Sequence, residues 1–478
     1  MSVSNLSDGQ QRAVSELFRR IAPVTDEIGE LFASHGHELA LVGGSVRDVF
    51  LGRVGNDLDM TTDARPERVL EIVKDWADAV WTIGIDFGTV GVRKDGWLLE
   101  ITTYRSESYD PASRKPEVAY GDTLGGDLAR RDFAVNAMAV RLPGLEFEDP
   151  HGGLPDLAAK VLRTPGSPEQ SFGDDPLRML RAARFASQLG FTVAPEAVEA
   201  MTAMAGRIEI VSAERIREEL DKLIGGQHPR EGLTLLVDTG LAAHVLPELP
   251  KLRLEIDEHH RHKDVYEHTL IVLEQAIALE TSGPDRVLRW AALLHDVGKP
   301  KTRRNEPGGR VSFHHHEVVG AQMAKKRLTE LRFPKDVVAD VSQLVELHLR
   351  FHGYGTGEWT DSAVRRYVRD AGHLLDRLHK LTRADCTTRN KRKAATLSRT
   401  YDQLEERISR LAEEEELAKI RPELDGNEIQ EILGVPPGPV VGRAYRHMLE
   451  IRMDEGLIGK EAAREALLAW ARANGITA

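Results

Sequence analysis

The segment from Leu41 to Thr62 constrains the fold of this chain more than any other part of the sequence. It reads LVGGSVRDVFLGRVGNDLDMTT, in which an apolar strand leads into Gly43 and Gly44 and then into a helix that carries Arg47. Glycines lack a Cβ atom and let the backbone approach a phosphate closely, and the N-terminus of a following helix favours anions. The segment therefore predicts a phosphate site at the start of an α/β domain.

Three acidic residues near this segment are candidate metal ligands. Asp57 and Asp59 alternate on a predicted strand, so both carboxylates point to the same face and can hold a Mg²⁺ ion between them. Glu100, on the predicted strand from Trp97 to Thr103, is the candidate for a third carboxylate. Two divalent ions about 4 Å apart could activate a hydroxyl and neutralise a leaving pyrophosphate. The combined pattern predicts metal-dependent nucleotide transfer.

Strand signals are concentrated in the first third of the chain. Apolar or alternating segments predict strands at residues 39–42, 57–61, 89–93 and 97–103. Amphipathic patterns predict helices over much of the first forty residues and at 66–76, 176–188, 213–224 and 287–295. A chain of 478 residues exceeds what one core usually serves, so we expect several domains. The fold class expected is α+β, with an α/β head followed by a mostly helical remainder.

Composition narrows the expected location and partners. No apolar run of about 18 residues could span a bilayer, and the opening MSVSNLSDGQ lacks the basic and apolar regions of a signal peptide. Cys386 is the only cysteine, which excludes an internal disulfide, suits a reducing compartment and is a poor candidate for a catalytic thiol. We expect a cytoplasmic protein with no membrane partner. The sequence does not set its oligomeric state.

A local basic stretch stands out against the net charge of −12. Its basic residues are Arg365, Arg366, Arg369, Arg377, Lys380, Arg383, Arg389, Lys391, Arg392, Lys393 and Arg399. Nucleic-acid binding needs only such a local surface, and Arg389, Lys391, Arg392 and Lys393 are the candidate RNA-binding residues. A solvated helical face is the alternative interpretation, because charge runs are common on helices.

Two further segments carry groups suited to a nucleotide. In RRDFAVNAM, residues 130–138, Arg131 and its neighbour offer forks for triphosphate oxygens, and Asp132 can accept a hydrogen bond from a ribose hydroxyl. Taken alone, this segment also fits the start of a surface helix. In GDDPLRMLRAARF, residues 173–185, Arg178, Arg181 and Arg184 follow Asp175 at three-residue intervals along a predicted helix.

Asp175 and Arg178 could together read the edge of a base. The carboxylate would accept from an exocyclic amine, and the guanidinium would donate to the ring acceptor beside that amine. Cytosine and adenine both present an amine beside an acceptor, whereas uracil and guanine present the reverse. The pair therefore predicts selection of CTP and ATP, without distinguishing between them.

Seven motifs of this chain resemble those of a known enzyme family. LVGGSVRD, DLDMTT, EITTYR, DLARRDFAVNAM, EDPHGGLPDL, DDPLRMLRAARF and AERIREEL resemble, in this order, the head, neck and body motifs of class II CCA-adding tRNA nucleotidyltransferases and the related bacterial poly(A) polymerases. The resemblance is continuous from about Leu39 to Leu246. It implies a polymerase-β-like head and template-free addition of CMP and AMP to RNA 3′ ends from CTP and ATP.

The resemblance also implies residue roles. Asp57 and Asp59 resemble the metal carboxylates of the family. The positions that resemble its nucleotide site are Gly44, Arg47, Arg131, Asp132, Asp175, Arg178, Arg181 and Arg184. The family usually has Glu where Asp174 stands and Thr where Ala134 stands. Neither change removes a predicted chemical group, although the shorter Asp174 is expected to orient the neighbouring arginine less firmly.

Histidines are numerous, at eighteen, and they cluster in the second half of the chain. Imidazoles and a carboxylate on helices are good ligands for Zn²⁺, Mn²⁺ or Fe²⁺. The ordered set that resembles the ligands of HD-type phosphohydrolases is His268, His295, Asp296, His316, His348 and Asp385. HDVGK, at His295 and Asp296, is its most specific piece, and a mononuclear site would need only His268, His295, Asp296 and Asp385. A metal-free helical module for packing or RNA docking is the alternative.

Four domains and one leading function follow. We expect a nucleotidyltransferase head at 1–155, a helical neck and body with base recognition at 156–255, an HD-type metal domain at 256–400 and a helical tail at 401–478 that contacts tRNA. The leading hypothesis is addition of CCA to the tRNA 3′ end by two-metal-ion catalysis, with Mg²⁺ in the head and a transition metal in the HD-like site. The alternatives are an A-adding enzyme or poly(A) polymerase, and mainly an HD-type phosphohydrolase with an RNA-binding head. The intact Asp57 and Asp59 pair disfavours the last of these.

Overall fold

The computed structural model describes residues 8–53, 55–108, 117–254, 264–307, 310–353, 359–387, 391–419, 421–455 and 458–476. It confirms the predicted α+β fold, since the strands are concentrated in the head and helices dominate the remainder. The chain divides into two compact units, one formed by Met1–Leu349 with Asp376–Thr387 and the other by Arg350–Leu375 with Thr388–Ala478. Within the described residues, no helix is both long and apolar enough to cross a membrane.

The head is built from short strands and helices that follow one long helix. Its elements are α1 (Asp8–Ser34), β1 (Leu39–Val42), α2 (Gly44–Phe50), β2 (Asp57–Thr62), α3 (Pro66–Val73), β3 (Ala79–Trp81), β4 (Thr89–Lys94), β5 (Trp97–Thr103), β6 (Arg105–Ser108), β7 (Glu117–Tyr120), α4 (Leu124–Ala129), β8 (Ala139–Leu142), β9 (Glu146–Glu148) and α5 (Gly153–Ala159). The predicted long helix and the strands at β1, β2, β4 and β5 are present. The helix expected to reach residue 76 ends at Val73.

Seven of these strands form one mixed sheet in the order β3-β4-β5-β2-β1-β8-β9. β2 and β5 run parallel, and the other neighbours in the sheet run antiparallel. All four residues of β1 are buried, which accounts for the uninterrupted apolar sequence LALV of this inner strand. The strand that carries the two aspartates therefore lies in the interior of the sheet, beside β5.

The long helix α1 supports the head by its apolar stripe. Ile21, Val24, Ile28 and Phe32 are all buried, and their spacing of three or four residues places them on one side of the helix. Burying aliphatic and aromatic side chains of this size stabilises the packing by about 1.5 to 3 kcal/mol each. Asp26, Glu27 and Glu30 between them are exposed, whereas Thr25 is buried and its hydroxyl donates to the carbonyl oxygen of Ile21 at 3.1 Å.

A helical body follows the head. Its elements are β10 (Val161–Leu162), α6 (Pro168–Asp174), α7 (Leu177–Leu189), β11 (Thr192–Val193), α8 (Pro195–Met204), α9 (Ala213–Ile224), α10 (Pro229–Asp238), α11 (Leu241–Val245) and α12 (Glu248–Lys251). Helix α7 packs against both α9 and α10. A Cβ atom on Gly232 would lie 2.5 Å from the carbonyl oxygen of Ala183, so only glycine lets α10 approach α7 this closely.

The remaining elements are helical apart from one short hairpin. They are α13 (Val265–Ala278), α14 (Arg286–Leu294), α15 (Lys299–Thr302), β12 (Arg304–Glu306), β13 (Arg310–Ser312), α16 (His316–Glu330), α17 (Lys335–Leu347), α18 (Asp361–Ala371), α19 (Leu375–Asp385), α20 (Lys391–Lys419), α21 (Gly426–Leu433), α22 (Pro439–Glu455) and α23 (Lys460–Ala473). A Cβ atom on Gly298 would lie 2.1 Å from the carbonyl oxygen of His316, so this glycine lets the start of α16 approach the segment that follows α14.

The second unit contains a core of its own. Helices α21, α22 and α23 enclose Leu424, Ile429, Leu433, Val441, Ala444, Met448, Ala463, Leu467 and Ala471. Helix α21 begins in a capping box, in which the Asp425 carboxylate accepts from the backbone of Glu428 and the Glu428 carboxylate accepts from the backbone of Asp425. The boundaries of the four expected domains remain a prediction from the sequence.

Candidate active site and histidine cluster

Three carboxylates lie on one face of the head sheet. Asp59 on β2 and Glu100 on β5 are direct partners in the parallel register, and Asp57 lies two residues before Asp59. All three are exposed, whereas Leu58 and Leu99, which point to the opposite face, are buried. The alternation of a strand thus places the acidic groups on the solvent side and the leucines in the core.

Asp59 lies where negative charge is concentrated. Loss of hydration in its surroundings and the neighbouring Glu100 carboxylate raise the pKa of Asp59, while Arg131 and Arg47 act in the opposite direction and Asp57 raises it further. Mutual repulsion among carboxylates is relieved when a divalent cation binds between them. The oxygen donor set and its repulsion fit a hard divalent metal ion.

The glycine pair leaves room beside Asp59. A Cβ atom on Gly43 would lie 3.0 Å from Nη1 of Arg131 and 3.7 Å from Oδ2 of Asp59. On Gly44 it would lie 3.5 Å from Nη2 of Arg47 and 3.8 Å from the same carboxylate oxygen. Gly43 also has a φ of 67°, a left-handed conformation that favours glycine. The two glycines therefore keep side chains away from the place where the carboxylate and both arginines meet.

The two arginines beside Gly43 and Gly44 are held by buried partners. Arg47 donates from Nη1 to Oδ1 of Asn136 at 2.7 Å, and Arg131 donates from Nη2 to Oδ2 of Asp127 at 3.0 Å. Asp127 is fully buried and also accepts from Arg130 at 2.8 Å. Burial alone would raise the pKa of Asp127, but Arg131 and Arg130 hold it below its usual range. The ionised carboxylate fixes both guanidinium groups.

Asp132 is buried and uses both oxygens within the protein. Oδ2 lies 2.9 Å from Nη2 of Arg181, and Oδ1 accepts from the backbone N–H of Phe133 and from the side chain of Asn136. Against the effect of burial, Arg181 and Asn136 keep the pKa of Asp132 below its usual range. The structure therefore brings together Asp132 and Arg181, which lie far apart in the sequence.

The two residues expected to read a base are also anchored. Asp175 accepts from the backbone N–H of Leu177 at 3.1 Å through Oδ1 and from Nη2 of Arg215 at 2.9 Å through Oδ2. Arg178 donates to Oγ of Ser171 at 2.9 Å and to the carbonyl oxygen of Arg130 at 2.5 Å. The last bond joins helix α7 to the segment that carries the head arginines.

Helix α9 supplies a further partner that was not singled out from the sequence. The Nε atom of Arg184 lies 2.6 Å from Oε2 of Glu219, and both side chains are largely buried. The Arg184 guanidinium also lies over the ring of Phe185, 4.1 Å from its centroid. The spacing of Arg215 and Glu219 by four residues in AERIREEL was the available signal, because it places both on one helix face.

The histidine segment, which runs from His268 to Asp385, places its predicted metal ligands close together in the first unit. Two sets bring three potential ligand atoms within 4.8 Å of one another: His268, His295 and Asp385 form one set, and Asp296, His316 and His348 the other. The sets adjoin, because Nε2 of His295 lies 3.2 Å from Oδ2 of Asp296. Among the described residues, these are the two sets with such spacing.

The ring orientations in this cluster suit metal binding. His295, His316 and His348 direct Nδ1 at the carbonyl oxygen three residues earlier, at 2.8, 2.8 and 2.6 Å. This contact holds each ring so that Nε2 is the nitrogen that faces the cluster, where it could act as a ligand. The Nε2 atoms of His316 and His348 are buried and, within the described part of the chain, have no hydrogen-bond partner. Buried unsatisfied nitrogens beside carboxylates fit a divalent metal ion better than a packing role.

The pKa values of His295 and His348 are shifted in opposite directions. Burial opposes charge on His295, yet Asp296 and Asp385 raise its pKa to about 10. Burial and the neighbouring His295 lower the pKa of His348 to about 3. Lys299 lies 2.9 Å from Oδ2 of Asp296 and adds a further positive charge. The carboxylates therefore attract cations strongly in this cluster.

The predicted basic stretch is partly neutralised. Arg369, Arg377 and Lys380 pair with Asp370, Asp285 and Asp376 at 2.9, 2.7 and 2.6 Å. Of the four candidate RNA-binding residues, Arg389 and the side chains of Lys391 and Lys393 lie outside the described residues, and Arg392 is exposed. Their contribution to RNA binding stays a prediction.

Known proteins resemble this chain over most of its length. Three family models match successive parts of the chain. The model of the poly A polymerase head domain matches residues 39–163, and the model described as the probable RNA and SrmB- binding site of polymerase A matches residues 190–252. The model of the HD domain matches residues 265–390. The A-adding tRNA nucleotidyltransferase of Deinococcus radiodurans is 36% identical over 355 residues, which cover 73% of this chain and 80% of that protein.

Other relatives match a shorter part. The CCA-adding enzyme of Levilactobacillus brevis is 41% identical over 233 residues, and the match covers 48% of this chain and 56% of that enzyme. Among solved structures, a Bacillus stearothermophilus CCA-adding enzyme in complex with CTP is 26% identical, with a TM-score of 0.59 over 96% of this chain and 98% of that one. Head, body and histidine segment together agree with these matches, and the chain belongs to the family of tRNA nucleotidyltransferases and bacterial poly(A) polymerases.

Proposed function

We propose that this chain builds the CCA sequence at the 3′ end of tRNA, using CTP and ATP. The observation that carries the proposal is the meeting of Asp57, Asp59 and Glu100 with Gly43–Gly44 and two anchored arginines on one face of the head sheet. Three carboxylates beside guanidinium groups fit a metal-bound triphosphate better than an RNA-binding module. The names of the relatives support the same reaction class.

The head residues divide the work of phosphoryl transfer. Asp57 and Asp59, with Glu100, would hold Mg²⁺, which supplies charge neutralisation and activation of the terminal hydroxyl of the RNA. Arg47 and Arg131 bind triphosphate oxygens while Asn136 and Asp127 hold them in position. Gly43 and Gly44 leave the space into which the phosphates fit.

The body residues select the base. Asp175 accepts from the exocyclic amine of cytosine or adenine, and Arg178 donates to the adjacent ring acceptor. Their existing bonds to Leu177, Arg215 and Ser171 hold both groups in a fixed direction. Preorganised polar groups select a base more strongly than mobile ones, since a wrong base leaves them unpaired. Arg181, Asp132 and Arg184 extend the same site.

One experiment tests this function. A tRNA that lacks all three terminal nucleotides is supplied with CTP alone, ATP alone and both together, and the products are sequenced. The proposal expects addition of CC with CTP alone and of CCA with both nucleotides. Products without cytidine would contradict it. Addition of a single A to a tRNA that already ends in CC, without any C addition, would instead identify an A-adding enzyme, and long A tracts would identify a poly(A) polymerase.

A second activity is favoured by the histidine cluster. We infer that His268, His295, Asp296 and Asp385, with His316 and His348, would hold one or two divalent transition-metal ions, because imidazole nitrogens dominate the donor set. Such an ion supplies Lewis-acid activation for phosphoester hydrolysis. Assays of 2′,3′-cyclic phosphodiesterase and phosphatase activity with Zn²⁺, Mn²⁺ or Fe²⁺ test it. No hydrolysis and no bound metal would favour the packing or RNA-docking alternative.

We also propose that domains beyond the head contact the tRNA. The predicted domains at 1–155, 156–255, 256–400 and 401–478 would then correspond to catalysis, base selection, hydrolysis and tRNA binding. Arg392, with Arg389, Lys391 and Lys393, is proposed to contact the tRNA backbone as part of the basic stretch. A tRNA substrate and a single cysteine agree with the cytoplasm as the proposed location.

A further inference from the structure

Helix α9 contacts the proposed base-reading residues through one of its faces. Arg215 and Glu219 are four residues apart and lie on the same side of the helix. Arg215 bonds to Asp175 just before helix α7, and Glu219 bonds to Arg184 within α7. Helices α9 and α7 also pack directly against one another. Two side chains of α9 therefore hold two different polar groups of the proposed nucleotide site.

The bond from Arg215 fixes the direction of the Asp175 carboxylate. Oδ1 accepts from the backbone N–H of Leu177, and Oδ2 accepts from Nη2 of Arg215 at 2.9 Å. With one oxygen held by the backbone of α7 and the other by α9, the carboxylate plane cannot turn freely. Each carboxylate oxygen can accept a second hydrogen bond, and we infer that a base amine supplies one.

We propose that Arg215 is a positioning residue for base selection, which orients Asp175 toward the amine of an incoming cytosine or adenine. This inference rests on the proposed function. Arg215 touches the carboxylate and not the reacting atoms, so it acts through Asp175. In its absence, Asp175 keeps the backbone bond and can rotate about its side-chain torsions, which weakens its preference for an amine over a carbonyl.

Arg215 is better suited to this test than its neighbour Glu219. Its side chain is 48% exposed, whereas Glu219 and Arg184 form a largely buried pair. Asp175 is 12% exposed, and it keeps its hydrogen bond from the backbone N–H of Leu177 when Arg215 is removed. The melting temperature of Arg215→Ala measures what the lost ion pair contributes to the fold. Removal of Glu219 would strand Arg184 in a buried position and would mix folding with selectivity.

The helix offers a matched control. Arg217 lies two residues further on α9 and bonds to the carbonyl oxygen of Arg332 at 2.6 Å, away from the nucleotide site. Arg217→Ala therefore removes the same kind of side chain from the same helix. Equal melting temperatures of Arg215→Ala, Arg217→Ala and the unaltered chain establish that all three are folded.

The experiment measures kcat and KM for CTP and UTP in single addition to a tRNA that lacks its three terminal nucleotides. ATP and GTP are compared in the same way on a tRNA that ends in CC, so that an enzyme limited to A addition is tested equally. We expect Arg215→Ala to raise the ratio of UTP to CTP use, and of GTP to ATP use, by about tenfold. Most of the change lies in kcat, because Arg47 and Arg131 still bind the triphosphate. Arg215→Lys restores part of the selectivity, and Arg217→Ala leaves it unchanged.

The outcomes separate this inference from the proposed function. If the unaltered chain adds no nucleotide to either tRNA, both fail. If it adds nucleotides but Arg215→Ala lowers the use of correct and wrong nucleotides equally, Arg215 has only a structural role and the inference fails alone. Increased use of CTP by Arg215→Ala, without lost selectivity, would show that Arg215 competes with the base for Asp175, which also overturns it.

Discussion

Asp59 on β2 and Glu100 on β5 are register partners across the parallel strand pair of the head sheet, so their carboxylates emerge side by side on its exposed face. Loss of hydration and then repulsion by the neighbouring Glu100 carboxylate raise the pKa of Asp59. We propose that the two carboxylates, with Asp57, hold a divalent cation.

Asp57→Ala and Asp59→Ala should each reduce nucleotide transfer by at least about a thousandfold, because metal-ligand carboxylates supply several kcal/mol of transition-state stabilisation. Single-turnover addition of CMP and AMP at saturating Mg²⁺ measures the effect. Asp75→Ala is the control, since Asp75 is an exposed carboxylate elsewhere in the head. Near-normal transfer by both site variants would remove the catalytic assignment of these aspartates.

Asp127→Asn should destabilise the head at neutral pH by about 2 to 4 kcal/mol, because Arg130 and Arg131 lose a buried counter-charge. The pKa of Asp127 is lowered in the folded chain, so its stabilising effect is present above the unfolded pKa of about 3.9 and is lost as pH falls through the folded value. The unaltered head should therefore lose stability below about pH 4 more steeply than the variant.

Thermal unfolding midpoints measured from neutral to acid pH test this behaviour. Asp122→Asn is the matched control, because Asp122 pairs with Arg65 at 3.9 Å and is 92% exposed. Its melting curve should follow that of the unaltered chain at every pH. Parallel acid profiles of the Asp127 variant and the unaltered chain would mean that the buried ion pairs do not set the pH dependence.

Much of the head could be predicted because its signals are local. Strand β1, the glycine pair and strand β2 follow one another within a short segment, and each has its own residue pattern. Strands β8 and β9 were not predicted. All four residues of β8 pair with β1, which lies about a hundred residues earlier, so the place of β8 in the sheet depends on a partner distant in sequence. Strand β9 then pairs locally with β8.

The site shows the same division between local and distant information. Asp132 and Arg181 were each selected from the sequence as nucleotide ligands, but their mutual ion pair depends on how α7 meets the head. Arg215 and Glu219 were missed, because charges four residues apart are ordinary on a solvated helix face. Their contacts arise only from the packing of α9 against α7. Asp132 and Arg181 could be predicted from their local motifs, whereas the residues that hold the site from α9 could not.

His295→Ala or Asp296→Ala should abolish metal binding in the histidine segment and any phosphodiesterase or phosphatase activity, while CMP and AMP addition stays largely unchanged. Metal content by mass spectrometry is measured on the same samples as both activities. His315→Ala is the control, because this neighbouring histidine is 84% exposed. Parallel loss of hydrolysis and nucleotide addition would instead assign the segment a structural role.

The combined substitution Asp175→Ala and Arg178→Ala should relax selection against UTP more than it weakens triphosphate binding. UTP brings a carbonyl toward Asp175 and an N–H toward Arg178, so both contacts are repulsive or unpaired. Each unsatisfied buried polar group costs about 1 to 3 kcal/mol, and two such faults predict discrimination on the order of a hundredfold in the unaltered chain.

Ser171→Ala separates base reading from helix packing. It removes the bond from Arg178 to Oγ of Ser171 at 2.9 Å and leaves both reading groups present. We expect an intermediate loss of selectivity with unchanged KM for CTP, since the arginine is less firmly held but still faces the base. If the double variant keeps full selectivity for CTP and ATP, Asp175 and Arg178 serve only the contacts that the structure shows, to Arg215, Ser171 and the backbone of Arg130, and the base must be read by other groups.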